Sequence, residues 1–316
     1  MFSSDTFFQI FLIFQFCLGV IGNSSLLMLY VYTFFFKPHF KKLVDSVFMH
    51  LTIVNMLTIA FTLIKDIMLS FGVPNFLDDI GCKAVLFSFR VSRGLSICTT
   101  SVLSTFQVIT ITPSNSKWAS WLKPRLSTWI FSSLLCSWLI NLVIYGYMLD
   151  MVIAKTNKTH VGNGYSDGYC QNKHFGNHNS GSFFSLLLTH DLFYVAVMVW
   201  ASLYMVIFLY RHYKRSQHLH SRSLSSQSSP ERKATHNILS LVSCFVLIYC
   251  LNNSITLYGF YTKEKIPRLE SINAILTTCY PTVCPFFLMK NNKVILQFTS
   301  SFSVLRMTCL QSSLHG

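Results

Sequence analysis

Apolar stretches without any Asp, Glu, Lys or Arg dominate the pattern along this chain. Seven such runs occur, each at least 19 residues long. A bilayer core about 30 Å thick is crossed by roughly 20 helical residues, whereas the strands of a membrane barrel would be about half as long. The pattern therefore predicts an all-α membrane protein, a bundle of seven transmembrane helices that forms one domain over residues 1–316. The predicted spans are 7–36, 43–69, 82–112, 126–149, 186–210, 235–260 and 270–289, and residues 290–316 form a tail.

Composition agrees with a membrane-embedded chain and excludes some other classes. Hydrophobic residues make up 52% of the sequence and charged residues only 11%, too few polar side chains to cover a water-soluble globule of 316 residues. The net charge of +14 could indicate a nucleic-acid partner. However, the basic residues are spread through short loops and form no long basic face with interleaved aromatic residues. The lipid bilayer is the expected partner, and nucleic acid is not.

The orientation follows from the lysines and arginines in the loops. One side of the predicted bundle carries fifteen of them, in residues 37–42, 117–125, 211–233 and 290–306, whereas the other side carries six. Cytoplasmic loops are enriched in basic residues. We therefore expect the N-terminus outside the cell and the C-terminus in the cytosol, with the protein in the plasma membrane.

Two features of the loops agree with this orientation. Asn157 begins an Asn-Lys-Thr sequence in the loop after the fourth span, a glycosylation signal that this topology places on the outer side. Of the ten cysteines, only Cys82 and Cys170 are predicted to face an oxidising compartment. We expect these two to form a disulfide bond.

Charged side chains within the predicted bundle are the main candidates for a binding site. A charge in the membrane is costly, so each one suggests a functional role. Arg90 and Arg93 are three residues apart and share one helix face, in the outer half of the third span. They could meet a carboxylate, sulfate or carbonyl group of a ligand in a pocket open to the outside, or could form internal ion pairs that hold the bundle together. The other candidates are Lys65, Asp66 and Asp191, all near the outer ends of their spans.

The sequence holds no enzymatic constellation that we would assign. No span places Ser, His and Asp on one face, and the histidine groups lack the cysteine or carboxylate partners of a metal site. We therefore expect neither catalysis, nor a bound metal, nor a cofactor.

Several segments resemble the vomeronasal type-1 receptor family. They are GVIGN (19–23), HLTIVN (50–55), SRGLSICTTSVLSTFQVITITPSNS (92–116), SSPERKATHNILSLVSCFVLIYC (228–250) and YPTVCPFFLM (280–289). The resemblance covers most of the chain. It implies a G-protein-coupled chemosensory receptor of sensory neurons that detects pheromone-like small molecules and acts through Gi/Go-type G proteins. Where many rhodopsin-like receptors carry an acidic-Arg-aromatic triplet, this chain has Ile-Thr-Pro, as does the family.

The resemblance also suggests which cytosolic residues meet the G protein. In this interpretation the inner end of the sixth span moves away from the fifth when a ligand binds. The candidate contacts are Lys117, Lys123, Arg211, Arg215, Arg232 and Lys233. The same basic residues could equally be ordinary anchors at the cytosolic face. The sequence leaves two alternative functions open: a bitter-taste-type receptor with seven helices, and a multi-pass transporter of small molecules.

Overall fold

The structure is a computed structural model, and it describes residues 4–36, 43–73, 77–113, 116–146, 149, 152–154, 170–172, 177–219, 230–261 and 267–289. The predicted glycosylation site at Asn157 and the predicted cytosolic tail, 290–316, lie outside these residues.

Helices make up nearly all of the described structure. Seven are long, and each overlaps one predicted span; a short helix and a 3-10 turn (Lys123–Arg125) precede the fourth of them. The helices are α1 (Ser4–Phe36), α2 (Leu43–Ser70), α3 (Asp79–Ile111), α4 (Lys117–Leu122), α5 (Leu126–Gly146), α6 (Asn177–Leu219), α7 (Pro230–Tyr261) and α8 (Pro267–Met289).

Six of the long helices in the described part of the chain are long and apolar enough to cross a membrane. In α7 the apolar segment among the described side chains is Leu239–Ile255. The helical, multi-pass membrane architecture is therefore as expected from the sequence.

Helix α3 occupies the centre of the bundle. In its most apolar window 83% of the residues are buried, compared with 17% in the window of α5. It packs against α2, α5 and α6 and also touches α7. Its buried hydroxyl groups bond within the helix: Thr99, Thr100 and Ser104 donate to the carbonyl groups four residues earlier. This is how the hydroxyl-rich middle of α3 can be buried without leaving these polar groups unsatisfied.

Gly94 of α3 allows α5 to pack closely against α3. A Cβ atom on Gly94 would collide with Oδ1 of Asn141 and lie 3.1 Å from the ring of Tyr145. Only a residue without a side chain fits this position. Asn141 is fully buried and donates to the Ser137 carbonyl and to Sγ of Cys98, which ties α5 to α3.

A small hairpin is the departure from an all-α fold among the described residues. Strand β1 (Val152–Ala154) pairs antiparallel with β2 (Cys170–Asn172), and Ala154 lies opposite Cys170. Cys170 is bonded to Cys82 in the first turn of α3. Both cysteines are buried, with Leu86 packed beside them. The predicted disulfide is confirmed, and it fastens the hairpin to the end of the central helix.

Helix α8 carries two prolines, Pro281 and Pro285, in its interior. Proline has no N–H, so Pro285 cannot bond the carbonyl group of the residue four positions earlier, which is Pro281. Asn23 of α1 compensates: its Nδ2 donates to the Pro281 carbonyl at 2.9 Å. Elsewhere along the same contact, Gln15 donates to Oγ1 of Thr278 and to the Ile275 carbonyl. Two amides of α1 thus bind α8 near the place where its own hydrogen bonding is weakest.

Candidate ligand-binding site

A cavity lies between α2, α3, α7 and α8. It contains about 370 Å³ of empty space, part of which is open to the surroundings. Its lining is Thr58, Arg93, Ser96, Ile97, Phe245, Ile248, Tyr249, Asn252, Leu276, Thr277, Tyr280 and Pro281. The walls are therefore apolar and aromatic with interspersed hydroxyl and amide groups.

Arg93 is the charged residue in this lining. Its guanidinium carbon lies 5.5 Å from the centre of the Tyr249 ring, a cation–π contact. Nη2 donates to Oδ1 of Asn253 at 3.4 Å, and Nη1 lies 3.9 Å from Oδ2 of Asp191. The central helix thus holds Arg93 in contact with α6 and α7 at once.

The partner carboxylate, Asp191, is almost completely enclosed. Its side chain is 7% exposed and that of Arg93 is 15% exposed. At about 4 Å, two opposite unit charges attract by about 4 kcal/mol where the effective dielectric constant is about 20, and the loss of hydration offsets part of this. Nδ1 of His190 also lies 3.2 Å from Oδ1 of Asp191. Because a carboxylate oxygen accepts, this histidine nitrogen carries the hydrogen.

Three hydroxyl groups of the walls, those of Ser96, Thr277 and Tyr280, are hydrogen-bonded to neighbouring helices. Ser96 donates to Oδ1 of Asn55, and the Tyr280 hydroxyl lies 3.2 Å from Oγ1 of Thr100. Oγ1 of Thr277 lies 3.2 Å from Oδ1 of Asn252 and 2.8 Å from a carbonyl of its own helix. These bonds fix the orientation of the polar groups that face the cavity.

The structure brings only part of the predicted site together. The lining contains Arg93 but not Lys65, Asp66, Arg90 or Asp191. Asp191 reaches the cavity through Arg93, with which it forms an internal ion pair. Lys65 and Asp66 pair with each other at 3.1 Å.

Sequence reasoning missed most of the polar wall. Tyr249 and Asn252 of the wall lie on α7, beside Asn253, which accepts from Arg93, and Thr277 and Tyr280 of the wall lie on α8. A signal was present, because two adjacent amides within an apolar span are uncommon and amide groups in membrane helices usually bond across helices.

The opposite end of the bundle contains the predicted G-protein contacts. Arg211 is exposed near the end of α6, and Lys123 is half-buried in the 3-10 turn. Lys117, Arg215, Arg232 and Lys233 belong to α4, α6 and α7, but their side chains lie outside the described part of the structure.

At this same end, α3 stops at Thr112 because the next residue, Pro113, disfavours a helical conformation in the residue before it. The Thr112 hydroxyl donates to the Val108 carbonyl at 2.7 Å and lies 3.1 Å from the hydroxyl of Tyr204 on α6. Since the single hydrogen of Thr112 is already used, Tyr204 is the donor in the second bond. Tyr204 of α6 is therefore hydrogen-bonded to Thr112, the residue at the C-terminal end of α3.

Comparison with known proteins identifies the family. The profile described as "Vomeronasal organ pheromone receptor family" matches residues 6–301. The chain is 34% identical over 280 residues to human vomeronasal type-1 receptor 2, a match that covers 88% of this chain and 70% of that receptor. It is 33% identical over 286 residues to human vomeronasal type-1 receptor 4, which covers 90% of this chain and 94% of the receptor. A Rattus norvegicus protein, vomeronasal type-1 receptor 94, is 33% identical over 287 residues, or 90% of this chain and 86% of its own length. The chain belongs to the vomeronasal type-1 receptor family.

Proposed function

We propose that this protein is a chemosensory receptor of the plasma membrane that binds a small pheromone-like molecule in the cavity beside Arg93 and activates a Gi/Go-type G protein. The observation that carries the proposal is the cavity itself. The central helix places one guanidinium among apolar and hydroxyl-bearing walls, where four helices meet.

The position of the cavity supports binding from the outer side. Arg93 follows the disulfide-bonded Cys82 by eleven residues, or about 16 Å along a helix. A disulfide bond forms in an oxidising compartment, so the end of α3 with Cys82 faces outward in this proposal. The fifteen-to-six distribution of basic loop residues gives the same orientation, with the N-terminus outside.

The G protein would dock at the other end. Basic side chains are concentrated there, among them Lys117, Lys123, Arg211, Arg215, Arg232 and Lys233. A ligand that binds one arrangement of α3, α6, α7 and α8 better than another shifts the population toward that arrangement. The inner end of α7 then moves away from α6 and opens a crevice for the G protein.

The test is G-protein activation in cells that display the full chain at their surface, with a panel of small odorants and steroid conjugates. Arg93→Ala should abolish a wild-type response by removing the guanidinium from the wall. Arg90→Ala is the matched control, because Arg90 shares the helix face of Arg93 but does not line the cavity. Equal responses in wild type and Arg93→Ala, with equal surface display, would contradict the assignment of the cavity.

Isotope flux across the membrane separates the receptor from a transporter. The receptor proposal expects activation of the G protein without net movement of an activating compound. Concentrative uptake without G-protein activation would support the transporter instead. The family membership already favours a vomeronasal receptor over one of the bitter-taste type.

A further inference from the structure

The connection between α3 and α5 presents an arginine without a protein partner for its N–H groups. Arg125 is exposed, and its guanidinium carbon lies 5.1 Å from the centre of the Trp121 ring. This cation–π contact holds the guanidinium beside the indole. Among the described residues, none forms a hydrogen bond or an ion pair with Arg125. Its five N–H groups therefore remain available to a group outside the protein.

Trp121 is the second part of this surface. It is 62% exposed, although Ala119, two residues earlier on α4, is fully buried. Two residues correspond to a rotation of about 200° around a helix. One side of α4 therefore packs on the bundle, and the opposite side presents the indole to the surroundings.

The Trp121–Arg125 pair lies at the boundary of the bilayer. The apolar segment that continues through α5 runs from Ala119 to Gly146, so the pair belongs to its first turns. Tryptophan is enriched at the level of the lipid headgroups, and an arginine near the end of a span extends its charge toward that level. In the orientation proposed above, this end of the bundle faces the cytosolic leaflet, which carries anionic lipids.

The charges in this stretch of sequence are all of one sign. No Asp or Glu occurs between residues 80 and 149, whereas Lys117, Lys123 and Arg125 are basic. Lys123 is half-buried in the same 3-10 turn as Arg125. The surface is therefore complementary to a partner that combines a negative charge with an apolar part.

We propose that Trp121 and Arg125 bind the headgroup of an anionic phospholipid such as phosphatidylserine. Arg125 donates two parallel hydrogen bonds to phosphate oxygens, a geometry that suits a guanidinium. The indole packs against the glycerol and the first acyl carbons, and Lys123 adds positive charge. Exposed Trp and Arg side chains also occur in protein interfaces, but the location of this pair at the bilayer boundary favours a lipid.

The experiment measures lipid binding to the purified full-length receptor in detergent by native mass spectrometry. The probes are dioleoylphosphatidylserine and dioleoylphosphatidylcholine, which share the phosphate and the acyl chains but differ in net charge. We expect the wild type to bind phosphatidylserine more tightly. Arg125→Gln should weaken phosphatidylserine binding about fivefold, because one basic residue near an anionic surface contributes about 1 kcal/mol. Arg125→Lys should lose less, since it keeps the charge but not the paired hydrogen bonds.

Two further variants separate a defined site from general attraction between charges. Arg211→Gln is the matched control, because it removes the same charge from an exposed arginine at the same end of the bundle, and it should weaken phosphatidylserine binding by less than Arg125→Gln. Trp121→Ala changes no charge, yet it should also weaken phosphatidylserine binding. Thermal unfolding of each variant shows that it is folded, and Trp121→Ala and Arg125→Lys decide the question if Arg125→Gln is not.

Several results would overturn the proposal. These are equal binding of the two lipids to the wild type, equal losses in Arg125→Gln and Arg211→Gln, or full binding in Trp121→Ala. Competition by glycerophosphoserine, the headgroup without acyl chains, at the concentration at which the lipid binds would indicate a site for free phosphate compounds instead. Unchanged lipid binding in Arg125→Gln with weaker association of a purified Gi heterotrimer would assign the surface to a protein partner. None of these measurements needs an activating compound, so their failure would leave the proposed signalling intact.

Discussion

At the scale of the residue, the contact between α3 and α5 depends on the absence of a side chain at Gly94. Gly94→Ala would place a methyl group against Oδ1 of Asn141, closer than van der Waals contact allows. We expect it to destabilise the receptor by roughly 1–3 kcal/mol, the usual range for overpacking. Thermal unfolding and surface display measure the effect. Asn141→Ala should restore part of the loss in the double variant, and Gly146→Ala should be nearly neutral because nothing lies within 4 Å of its added methyl. Equal losses at both glycines would contradict the packing argument.

Individual residues also show how far the site could be predicted. Arg93 and Asp191 were identifiable because a charge in an apolar span is costly and therefore conspicuous. Tyr249 and Thr277 were not, since tyrosine and threonine occur throughout the spans and only the packing of α7 against α8 decides which of them face a cavity. The same reasoning included Arg90, Lys65 and Asp66, which do not line it. The positions of charged residues along the spans can be predicted from the sequence. Which of them face the cavity depends on how each helix is rotated about its axis.

At the scale of the helix, the interior prolines of α8 make it dependent on α1. Asn23→Ala should destabilise the protein by about 1–3 kcal/mol, because it leaves the buried Pro281 carbonyl without this donor. In a Pro285→Ala background the helix regains an N–H that can bond this carbonyl, so the cost of Asn23→Ala should fall. A double-mutant cycle on unfolding free energies measures the coupling. If the destabilisation caused by Asn23→Ala is the same with and without Pro285→Ala, Asn23 stabilises the protein by another contact, for example its second hydrogen bond, to the Gly19 carbonyl.

The inner ends of α3 and α6 provide a second test at this scale. Tyr204 donates to Thr112, which caps α3, and Tyr204 packs in the same cluster as Leu239 of α7. We expect Tyr204→Phe to raise ligand-independent G-protein activation about two- to tenfold, because losing one hydrogen bond of roughly 0.5–1.5 kcal/mol frees the helix ends. Thr112→Val should act in the same direction, and the double variant should add little. Lower basal activation in both variants would mean that the bond stabilises the signalling arrangement.

At the scale of the whole molecule, the number and approximate bounds of the long helices could be predicted from charge-free runs, because lipid requires long apolar segments whose backbone bonds are internal. The helix ends were less predictable. Helix α6 runs to Leu219, past Arg211 and Lys214, since a basic residue ends an apolar run without ending a helix. The β1–β2 hairpin was not anticipated because each strand has only three residues. The Cys82–Cys170 disulfide was predictable only because topology had reduced ten cysteines to two candidates.

The orientation of the bundle gives the last prediction. Ala154 lies opposite Cys170 in the hairpin, and Asn157 follows Ala154 by three residues, a reach of at most about 11 Å. Asn157 must therefore share a side of the membrane with the Cys82–Cys170 disulfide, whichever side that is. Disulfide bonds form in the oxidising lumen of the secretory pathway, where asparagine glycosylation also takes place. We therefore expect the wild type to show a glycosidase-sensitive gel shift that Asn157→Gln abolishes.

Epitope tags extend this test to the termini. The helices α1, α2, α3 and α5 precede the hairpin, and four crossings return the chain to the side on which it began. An N-terminal epitope should therefore bind antibody on intact cells, whereas a C-terminal epitope should bind only after permeabilisation, because three further crossings follow. If Asn157 is glycosylated but the N-terminal epitope needs permeabilisation, the number of crossings before the hairpin is odd, and the seven-span topology is wrong.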